Sequence, residues 1–439
     1  MGEPAAAPGT GVYRPRHPER TSFYLLLDKH FEEYKCVYDD RFEPTDGPWR
    51  PAVERAVRAY LDCGRLHGGF ARLWCPSCKV EHLLAFSCQT RNFCPSCQAK
   101  RAALFAERLH DGVLADVPHR HMIFTIPKAL RGLFRRERRL LGLLSRTAYD
   151  AIRRVYQARF DRDDVLPGCV ASLQTFGSFS ANFHPHAHFL VTDGVLTPDR
   201  EFLPLLFIDV KAIEKLFQDL LLRRLHQAQR LSEDFIERLG GWVHSGFSVY
   251  GEQVVMPNEH DRLERLARYL TRPPLPVASV SEDAHGRVRV ATPPDPRTGA
   301  TELVLDPIDW VHLVCSQVPD ARLHLTRAYG AYANKVRRHR LPPRTEVTPT
   351  QPDVDDDTKF VKARKASWAR LIRRVYEADP TLCPRCGTTM KILAVITEPP
   401  VIDRILRHLR TAGIPDPFDD ARPPPAPPPR ASTTVPPGA

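Results

Sequence analysis

The 439-residue sequence lacks long apolar runs, a secretory leader and an excess of acidic residues. None of its apolar runs approaches the roughly 20 residues that a membrane-spanning helix needs. Residues 1–20, MGEPAAAPGTGVYRPRHPER, are polar and proline-rich, without the apolar segment of a secretory signal. These absences argue against a membrane or exported protein. They predict a protein of the cytoplasm, where thiols stay reduced.

The charge balance is basic. The chain has 63 Lys and Arg against 52 Asp and Glu, a net charge of +11 at pH 7. Such an excess suits a partner with a phosphate backbone, although a solvated basic surface would have the same composition. The hydrophobic fraction of 42% and the charged fraction of 26% are typical of a globular protein.

Helical and β-type patterns are mixed along the chain, and we find no internal repeat. Apolar residues recur at helical spacing in five segments: 21–61, 100–117, 128–160, 209–239 and 260–271. HRHMIFTIP and the stretch 170–196 have the character of strands. The mixture predicts an α+β fold.

Cysteine is concentrated near the N-terminus, with six of the 11 cysteines between Cys63 and Cys97. Two identical C-P-S-C motifs, Cys75–Cys78 and Cys94–Cys97, are separated by residues 79–93. In a reducing compartment, two such pairs of thiolates can complete a tetrahedral shell around one ion. The spacing therefore predicts structural Zn²⁺ on Cys75, Cys78, Cys94 and Cys97.

Other cysteine and histidine residues add further candidate ligands. Near the two motifs, the residues that could form a second zinc site, or simply pack, are Cys63, His67, His82 and Cys88. Towards the C-terminus, Cys383 and Cys386 form a single C-x-x-C motif. One motif supplies two ligands, so zinc there would need partners from elsewhere in the chain.

Three basic residues flank the second C-P-S-C motif: Arg91, Lys100 and Arg101. They could lie along DNA, and the alternative is an ordinary solvated face.

Histidines alternate in the segment His184-Pro-His186-Ala-His188, which continues into the apolar run FLV. On a strand, residues two apart point to the same face, so His186 and His188 would present two imidazoles side by side. Such a pair is half of a divalent-metal site. Gln174, on the preceding β-type run, is the best-placed third ligand, and His121 is the alternative.

Tyr269 lies near the end of the amphipathic helix RLERLARYL, between Arg265, Arg268 and Arg272. Helical spacing alone favours a core aromatic at this position. The arginines suggest another use, because guanidinium groups can hold a phosphate and favour the phenolate. Tyr269 would then be a nucleophile toward phosphorus.

In combination, these motifs resemble the rolling-circle insertion-sequence transposases of the HUH superfamily, the group with an N-terminal transposase zinc-binding domain. The resemblance runs in order from about residue 20 to 410. The segments that carry it are CGRLHGGFARLWCPSC, FSCQTRNFCPSCQAKR, FTIPKALR, QTFGSFSANFHPHAHFLVTDG, ARYLTRPPL, VHLVCSQVPDARLHLTRAYGAYANKVR and WARLIRRVYEADPTLCPRCGTTMKILAVI.

The resemblance implies a mechanism and a partner. His186 and His188, with a third ligand, would hold Mg²⁺ or Mn²⁺, and Tyr269 would attack single-stranded or melted DNA at the ends of the element. The product would be a 5′-phosphotyrosine, from which the strand is transferred. Arg268 and Arg272 would contact the DNA. The setting implied is the bacterial cytoplasm, with nucleoid association when DNA is bound.

The sequence departs from many members of this group at one position. They carry a second tyrosine four residues along the helix, where this chain has Pro273. It therefore resembles the single-tyrosine branch, in which a second protomer of a homodimer, or a DNA 3′-OH, would resolve the intermediate. The alternative function is a catalytically inactive, zinc-dependent DNA-binding protein derived from such a transposase. Replication initiators and relaxases share the chemistry but lack the zinc domain.

With this resemblance, the chain divides into seven predicted segments. They are a disordered leader (1–20), a transposase zinc-binding domain (21–112), an HUH nuclease domain with an antiparallel sheet flanked by helices (113–275), an accessory hairpin and helical continuation of that domain (276–341), a linker (342–358), a small C-terminal C-x-x-C unit (359–412) and a disordered proline-rich tail (413–439).

Overall fold

A computed structural model describes residues 11–12, 17–177, 182–242, 244–274, 279–295, 298–341 and 378–411. Most of the predicted leader, the predicted linker and tail, and the first part of the predicted C-terminal unit lie outside the described residues. Within the described ranges, no helix is both long enough and apolar enough to cross a membrane.

The described residues form fifteen strands and twelve helices, besides short 3₁₀ and π turns. The strands are β1 Gly11–Val12, β2 Phe70–Cys75, β3 Val80–Ala85, β4 His119–Thr125, β5 Gly168–Phe176, β6 Phe183–Thr192, β7 Gly194–Leu196, β8 Phe202–Pro204, β9 Ser248–Val255, β10 Val280–Glu282, β11 Val288–Ala291, β12 Glu302–Leu305, β13 Thr326–Gly330, β14 Ala378–Asp379 and β15 Lys391–Ile396. The helices are α1 Ser22–Arg41, α2 Glu43–Asp46, α3 Pro51–Leu61, α4 Pro95–Arg108, α5 Lys128–Arg136, α6 Leu140–Phe160, α7 Val210–Gln227, α8 Glu233–Gly240, α9 His260–Leu270, α10 Pro307–Cys315, α11 Asn334–Arg340 and α12 Pro399–Thr411.

A five-stranded antiparallel sheet, in the order β13-β5-β6-β4-β9, forms the centre of the molecule. Alternate residues of β6 point to opposite faces. Ala187, Phe189 and Val191 belong to a large apolar core shared with α6 and α7. Leu190 belongs to a different core, shared with α4 and α9. The predicted α+β class, with a central antiparallel sheet flanked by helices, is confirmed.

The N-terminal helices build a second core, which is rich in aromatic residues. Phe23 of α1 packs edge-on against Tyr60 of α3 at 5.5 Å and against Trp310 of α10 at 5.2 Å, between ring centroids. Val288 and Val290 of β11 are buried in the same core. The segment predicted as a continuation of the nuclease domain, 276–341, is therefore divided. Its strand β13 extends the central sheet, whereas β10, β11, β12 and α10 belong with the N-terminal helices.

The described part of the C-terminal segment, 378–411, folds onto the zinc-binding region. β15 pairs antiparallel with β2, giving a three-stranded sheet in the order β15-β2-β3. Ile402 and Leu406 of α12 pack against Phe70 and Leu83 of that sheet. The prediction of a C-terminal unit of its own at 359–412 differs from this arrangement, because β15 and α12 bury their apolar residues against β2 and β3.

Candidate nuclease site and metal centres

The histidine pair, His186 and His188, lies in the middle of the central sheet. In the strand register, His186 is opposite Gln174 of β5, and His188 is opposite Ser172. Residues opposite each other in an antiparallel pair lie on the same face, so Gln174 shares the face of the histidine pair. The two imidazole centroids are 4.8 Å apart, and the two side chains are 8% and 1% exposed.

Hydrogen bonds orient the ring nitrogens of this pair. Nδ1 of His186 donates to the carbonyl of His184 at 2.8 Å, which leaves Nε2 with the lone pair. Nδ1 of His188 is 3.0 Å from Nε2 of His121, and its own Nε2 has no hydrogen-bond partner among the described residues. Burial lowers the pKa of His186 to about 4 and that of His188 well below its usual value. Both rings are therefore neutral near pH 7, the form that binds metals.

Gln174 is buried beside this pair, and its amide is oriented by the end of α9. Its Nε2 donates to the backbone carbonyls of Tyr269 and Leu270, at 3.1 Å each. Its Oε1 has no hydrogen-bond partner within the described ranges. A buried acceptor without a partner costs free energy, so an oxygen in this state is suited to a cation.

Tyr269 lies next to the same histidines, although it is 81 positions further along the chain than His188. Its ring centroid is 5.5 Å from that of His188 and 6.4 Å from that of His121. The guanidinium of Arg272 lies 4.6 Å from the tyrosine ring centroid. The side chain is 37% exposed. Tyr269 is therefore not the core aromatic that its helical spacing alone would favour.

Helix α9 is held in place by apolar contacts and by hydrogen bonds from neighbouring side chains to the backbone carbonyls at its C-terminal end. Leu263, Ala267 and Leu270 are buried against the histidine face of the sheet and against α4. Ser172 donates its hydroxyl to the carbonyl of Leu270 at 2.6 Å, and Gln98 of α4 donates its amide to the carbonyl of Thr271 at 2.7 Å.

The cysteines assemble into two groups of four, and their grouping corrects the sequence-based prediction. The inner cysteine cluster consists of Cys63, Cys88, Cys94 and Cys97, and the outer cysteine cluster of Cys75, Cys78, Cys383 and Cys386. The two C-P-S-C motifs thus belong to different clusters and do not share one ion. The physical reason is their placement, since Cys75 ends β2 whereas Cys94 precedes α4.

The structure also assigns other candidate ligands to one cluster or the other. Cys63 and Cys88, predicted for a second site, complete the inner cluster. His82 lies beside the outer cluster instead, with Nε2 3.8 Å from the sulfur of Cys383. Sequence reasoning missed the partnership of the C-terminal motif with Cys75 and Cys78, because no local pattern connects residues about 300 positions apart.

The inner cluster has the dimensions of a structural zinc site. The sulfur of Cys63 is 3.8 Å from that of Cys94 and 3.9 Å from that of Cys97, and the sulfurs of Cys88 and Cys97 are 3.5 Å apart. A tetrahedral Zn²⁺ with Zn–S bonds of about 2.3 Å places its ligands about 3.8 Å apart. Disulfide sulfurs are about 2.05 Å apart. These distances fit a structural zinc site and do not fit disulfides.

The predicted DNA-contacting basic residues differ in their surroundings. Arg91 is half-buried and donates to the backbone carbonyls of Leu323, at 2.7 Å, and Asp320, at 3.3 Å, so it has a packing role, and its DNA contact stays a prediction. Lys100 is also partly buried, and this burial lowers the pKa of its amine. Arg101 and Arg268 are exposed, and Arg268 pairs with Glu264 at 2.7 Å.

In a comparison with known proteins, both the zinc-binding region and the region that contains the histidine pair match family models. Residues 29–126 match the family described as "Transposase zinc-binding domain" (Zn_Tnp_IS91), and residues 168–340 match Y2_Tnp, described as "Putative transposase". The "Transposase for insertion sequence element IS801" of Pseudomonas savastanoi pv. phaseolicola is 28% identical over 373 residues, covering 80% of this chain and 86% of the relative. No solved structure matches the chain.

These matches agree with the family indicated by the motifs, and they place the two domains in the order that the structure shows. A transposase acts on DNA, which is therefore the partner of this protein. The chain belongs to the IS91-type insertion-sequence transposases.

Proposed function

We propose that this transposase nicks single-stranded DNA at the ends of its insertion sequence, with Tyr269 as the nucleophile, and transfers the strand in rolling-circle transposition. The observation that carries the proposal is the position of Tyr269. Its ring centroid lies 5.5 Å from that of His188 and 4.6 Å from the guanidinium carbon of Arg272. A half-exposed phenol, a neutral imidazole pair and a guanidinium meet here on one face of the sheet.

His186 and His188 would hold Mg²⁺ or Mn²⁺ through their Nε2 atoms, with Oε1 of Gln174 as the third ligand. Gln174 is favoured because its oxygen is buried without a partner in the described structure, and its amide already donates to the end of α9. His121 is better suited to orienting His188 through the 3.0 Å contact between their ring nitrogens. When bound, such an ion supplies Lewis-acid polarisation of a phosphate oxygen.

Tyr269 attacks the scissile phosphorus in this scheme. A bond forms between its phenolic oxygen and phosphorus, the bond from phosphorus to the 3′-oxygen breaks, and a free 3′-OH leaves. The phenolic proton is lost to water. Arg272, and the exposed Arg268 one turn before it, favour the phenolate and hold the phosphate. The phosphotyrosine conserves the energy of the phosphodiester, so the strand can be rejoined without ATP.

A basic cleft next to the start of β6 supports a single-stranded substrate. Its volume is about 360 Å³, and Lys128, Arg131 and Arg135 of α5 line it together with Phe183. Burial is the main cause that lowers the pKa of His184 and of His186. Arg131 is near enough to lower both further, and for His186 it does so after Arg272. Basic side chains that follow the phosphate backbone are one of the usual means of holding single strands.

The test of the nucleophile is a covalent adduct. Purified protein is mixed with labelled single-stranded DNA from an element end and Mg²⁺ or Mn²⁺, and is run on a denaturing gel. We expect a shifted protein–DNA band that Tyr269→Phe and EDTA both abolish, whereas Tyr250→Phe on β9 retains it. An adduct that persists in Tyr269→Phe would contradict the assignment. Binding of the end sequence without any nicking would favour the inactive DNA-binding alternative.

The third ligand is tested by counting nitrogens on bound Mn²⁺ with pulsed electron paramagnetic resonance. We expect two imidazoles in the unmodified protein, two in Gln174→Ala with weaker Mn²⁺ binding, and two in His121→Ala. Three imidazoles that fall to two in His121→Ala would assign the third position to His121 instead.

A further inference from the structure

We propose that the outer cysteine cluster, Cys75, Cys78, Cys383 and Cys386, binds a second zinc ion that fastens the C-terminal segment 378–411 to the zinc-binding domain. The four sulfur atoms all lie within 4.8 Å of one another. The sulfurs of Cys75 and Cys386 are 3.5 Å apart, and those of Cys78 and Cys383 are 3.9 Å apart. These distances bracket the separation of about 3.8 Å that tetrahedral Zn²⁺ imposes on thiolates, and they are far too long for disulfides.

The two halves of the cluster have matching backbone turns. The amide of Lys79 donates to the carbonyl of Cys75, and the amide of Gly387 donates to the carbonyl of Cys383, both at 2.9 Å. Lys79 and Gly387 both adopt left-handed backbone, with φ of +54° and +72°. A positive φ is unfavourable for lysine, which lacks the freedom of glycine. Two separate segments thus adopt the turn that directs backbone amides at sulfur, and the amide of Cys78 donates to the sulfur of Cys75 at 3.3 Å.

Contacts outside the cysteines bring the two turns together. β15 pairs with β2 from Lys391 opposite Trp74 to Ile396 opposite Phe70, so the sheet delivers the C-terminal turn next to Cys75. The hydroxyls of Ser77 and Thr388, one from each turn, are 3.0 Å apart. Because this pairing does not involve the thiols, it is independent evidence that the four cysteines are held as one group.

The site lies outside what the zinc-binding family match covers. That match ends at residue 126, whereas half of the outer cluster comes from residues 383 and 386. Cys75 and Cys386 are 311 positions apart in the sequence. An ion held by both pairs would close a very long loop, the kind of cross-link that most restricts the unfolded chain. It would act as a metal-dependent clasp between two segments that lie far apart in the chain.

The number of zinc ions per chain tests the metal site directly. We expect two ions by mass spectrometry of the intact full-length protein, one in Cys383→Ser/Cys386→Ser, and two in the control Cys36→Ser, which removes an exposed cysteine outside both clusters. Replacement by Co²⁺ checks the same count without a variant, since two equivalents should develop thiolate charge-transfer absorption. A single ion in the unmodified protein, or two in Cys383→Ser/Cys386→Ser, would overturn the proposal.

The clasp is tested by cutting the chain between its ends. A protease site is inserted after residue 350, the purified protein is cleaved, and the fragments are separated by size-exclusion chromatography. With zinc bound we expect the C-terminal fragment to co-elute with the remainder, and to separate in the Cys383→Ser/Cys386→Ser variant. Dissociation with zinc present, or co-elution in the variant, would show that the ion does not fasten the two ends.

Discussion

The inner and outer cysteine clusters each contain one C-P-S-C tetrapeptide, but the two motifs lie in different structural settings. The inner cluster is local, with 34 positions between its first and last cysteine, and Phe93 and Tyr60 belong to the core around it. The outer cluster joins residues 311 apart, and its Cys386 is exposed. The first is part of a core and the second is a link between chain segments. The comparison shows that residue type predicts a ligand, whereas the fold decides which ligands share an ion.

The residues that follow each C-P-S-C motif explain the different backbones. After Cys97 the chain continues QAKRAALF, rich in helix formers, and the amide of Gln98 donates to the carbonyl of Cys94 as the first turn of α4. After Cys78 the chain continues KVEHLLA and forms a strand, so the motif becomes a hairpin turn. One motif therefore starts a helix, and the other connects β2 to β3.

The largest effect is expected from removing the inner cluster. Cys94→Ser/Cys97→Ser removes two of the four thiols of a cluster that is surrounded by aromatic core. Structural zinc contributes roughly 10–16 kcal/mol of apparent binding free energy in small domains. We expect loss of cooperative unfolding in the N-terminal region. Nicking should fall as well, because α4 packs along α9 and supports Tyr269. Thermal unfolding by circular dichroism and the adduct assay measure both; a melting curve like that of the unmodified protein would contradict a core role.

A smaller and more local effect is expected from the outer cluster. In Cys383→Ser/Cys386→Ser the aromatic core is untouched, whereas β2 loses the strand held beside it. We expect backbone amides of β2 to exchange with deuterium about 10-fold faster or more, with α4 unchanged, as measured by hydrogen exchange. Equal acceleration in α4 would show that the two clusters are one cooperative unit.

Gln98 connects the inner cluster to the nuclease site, and its loss should have an intermediate to small effect. Its side chain accepts from the amide of Asn92 at 3.0 Å and donates to the carbonyl of Thr271 at 2.7 Å, and it is 3% exposed. In Gln98→Met, which keeps the volume, both backbone groups lose their partner, at a cost of about 1–3 kcal/mol. Urea unfolding measures this loss, and unchanged stability would mean that the connection contributes nothing.

The smallest effect is expected at the hydroxyl pair of the outer cluster. Ser77→Ala removes the hydrogen bond to Thr388 at an exposed site, where a single substitution usually changes stability by less than about 0.5 kcal/mol. We expect the zinc content and the thermal midpoint to stay as in the unmodified protein. A loss of one zinc ion would mean that the hydroxyls, rather than the sulfurs and the β15–β2 pairing, hold the cluster together.

Much of the geometry of the candidate nuclease site could be predicted from the sequence, because its main parts are local patterns. Alternation marks the histidine strand, helical periodicity marks α9, and the predicted helix 260–271 agrees with the observed bounds to within one residue. The bond between His121 and His188 and the support of α9 by Gln98 could not be predicted, since both depend on neighbouring elements far apart in sequence. The prediction of which cysteines share a cluster failed for the same reason. The outer cluster depends on the pairing of β15 with β2, and no short motif encodes a contact between strands so far apart in sequence.

The pairing of β15 with β2 also determines when the molecule can be completed during its synthesis. The ribosome adds about 5–20 residues each second, so more than 300 residues separate the two strands by roughly 15–60 s. Cys75 and Cys78 emerge early and must wait for their partners, while the inner cluster can close as soon as Cys97 is available. A chain released before residue 386 has its inner cluster and Tyr269, the proposed nucleophile, but an unpaired edge at β2. The three-stranded sheet β15-β2-β3 can therefore form only after β15 has been synthesised.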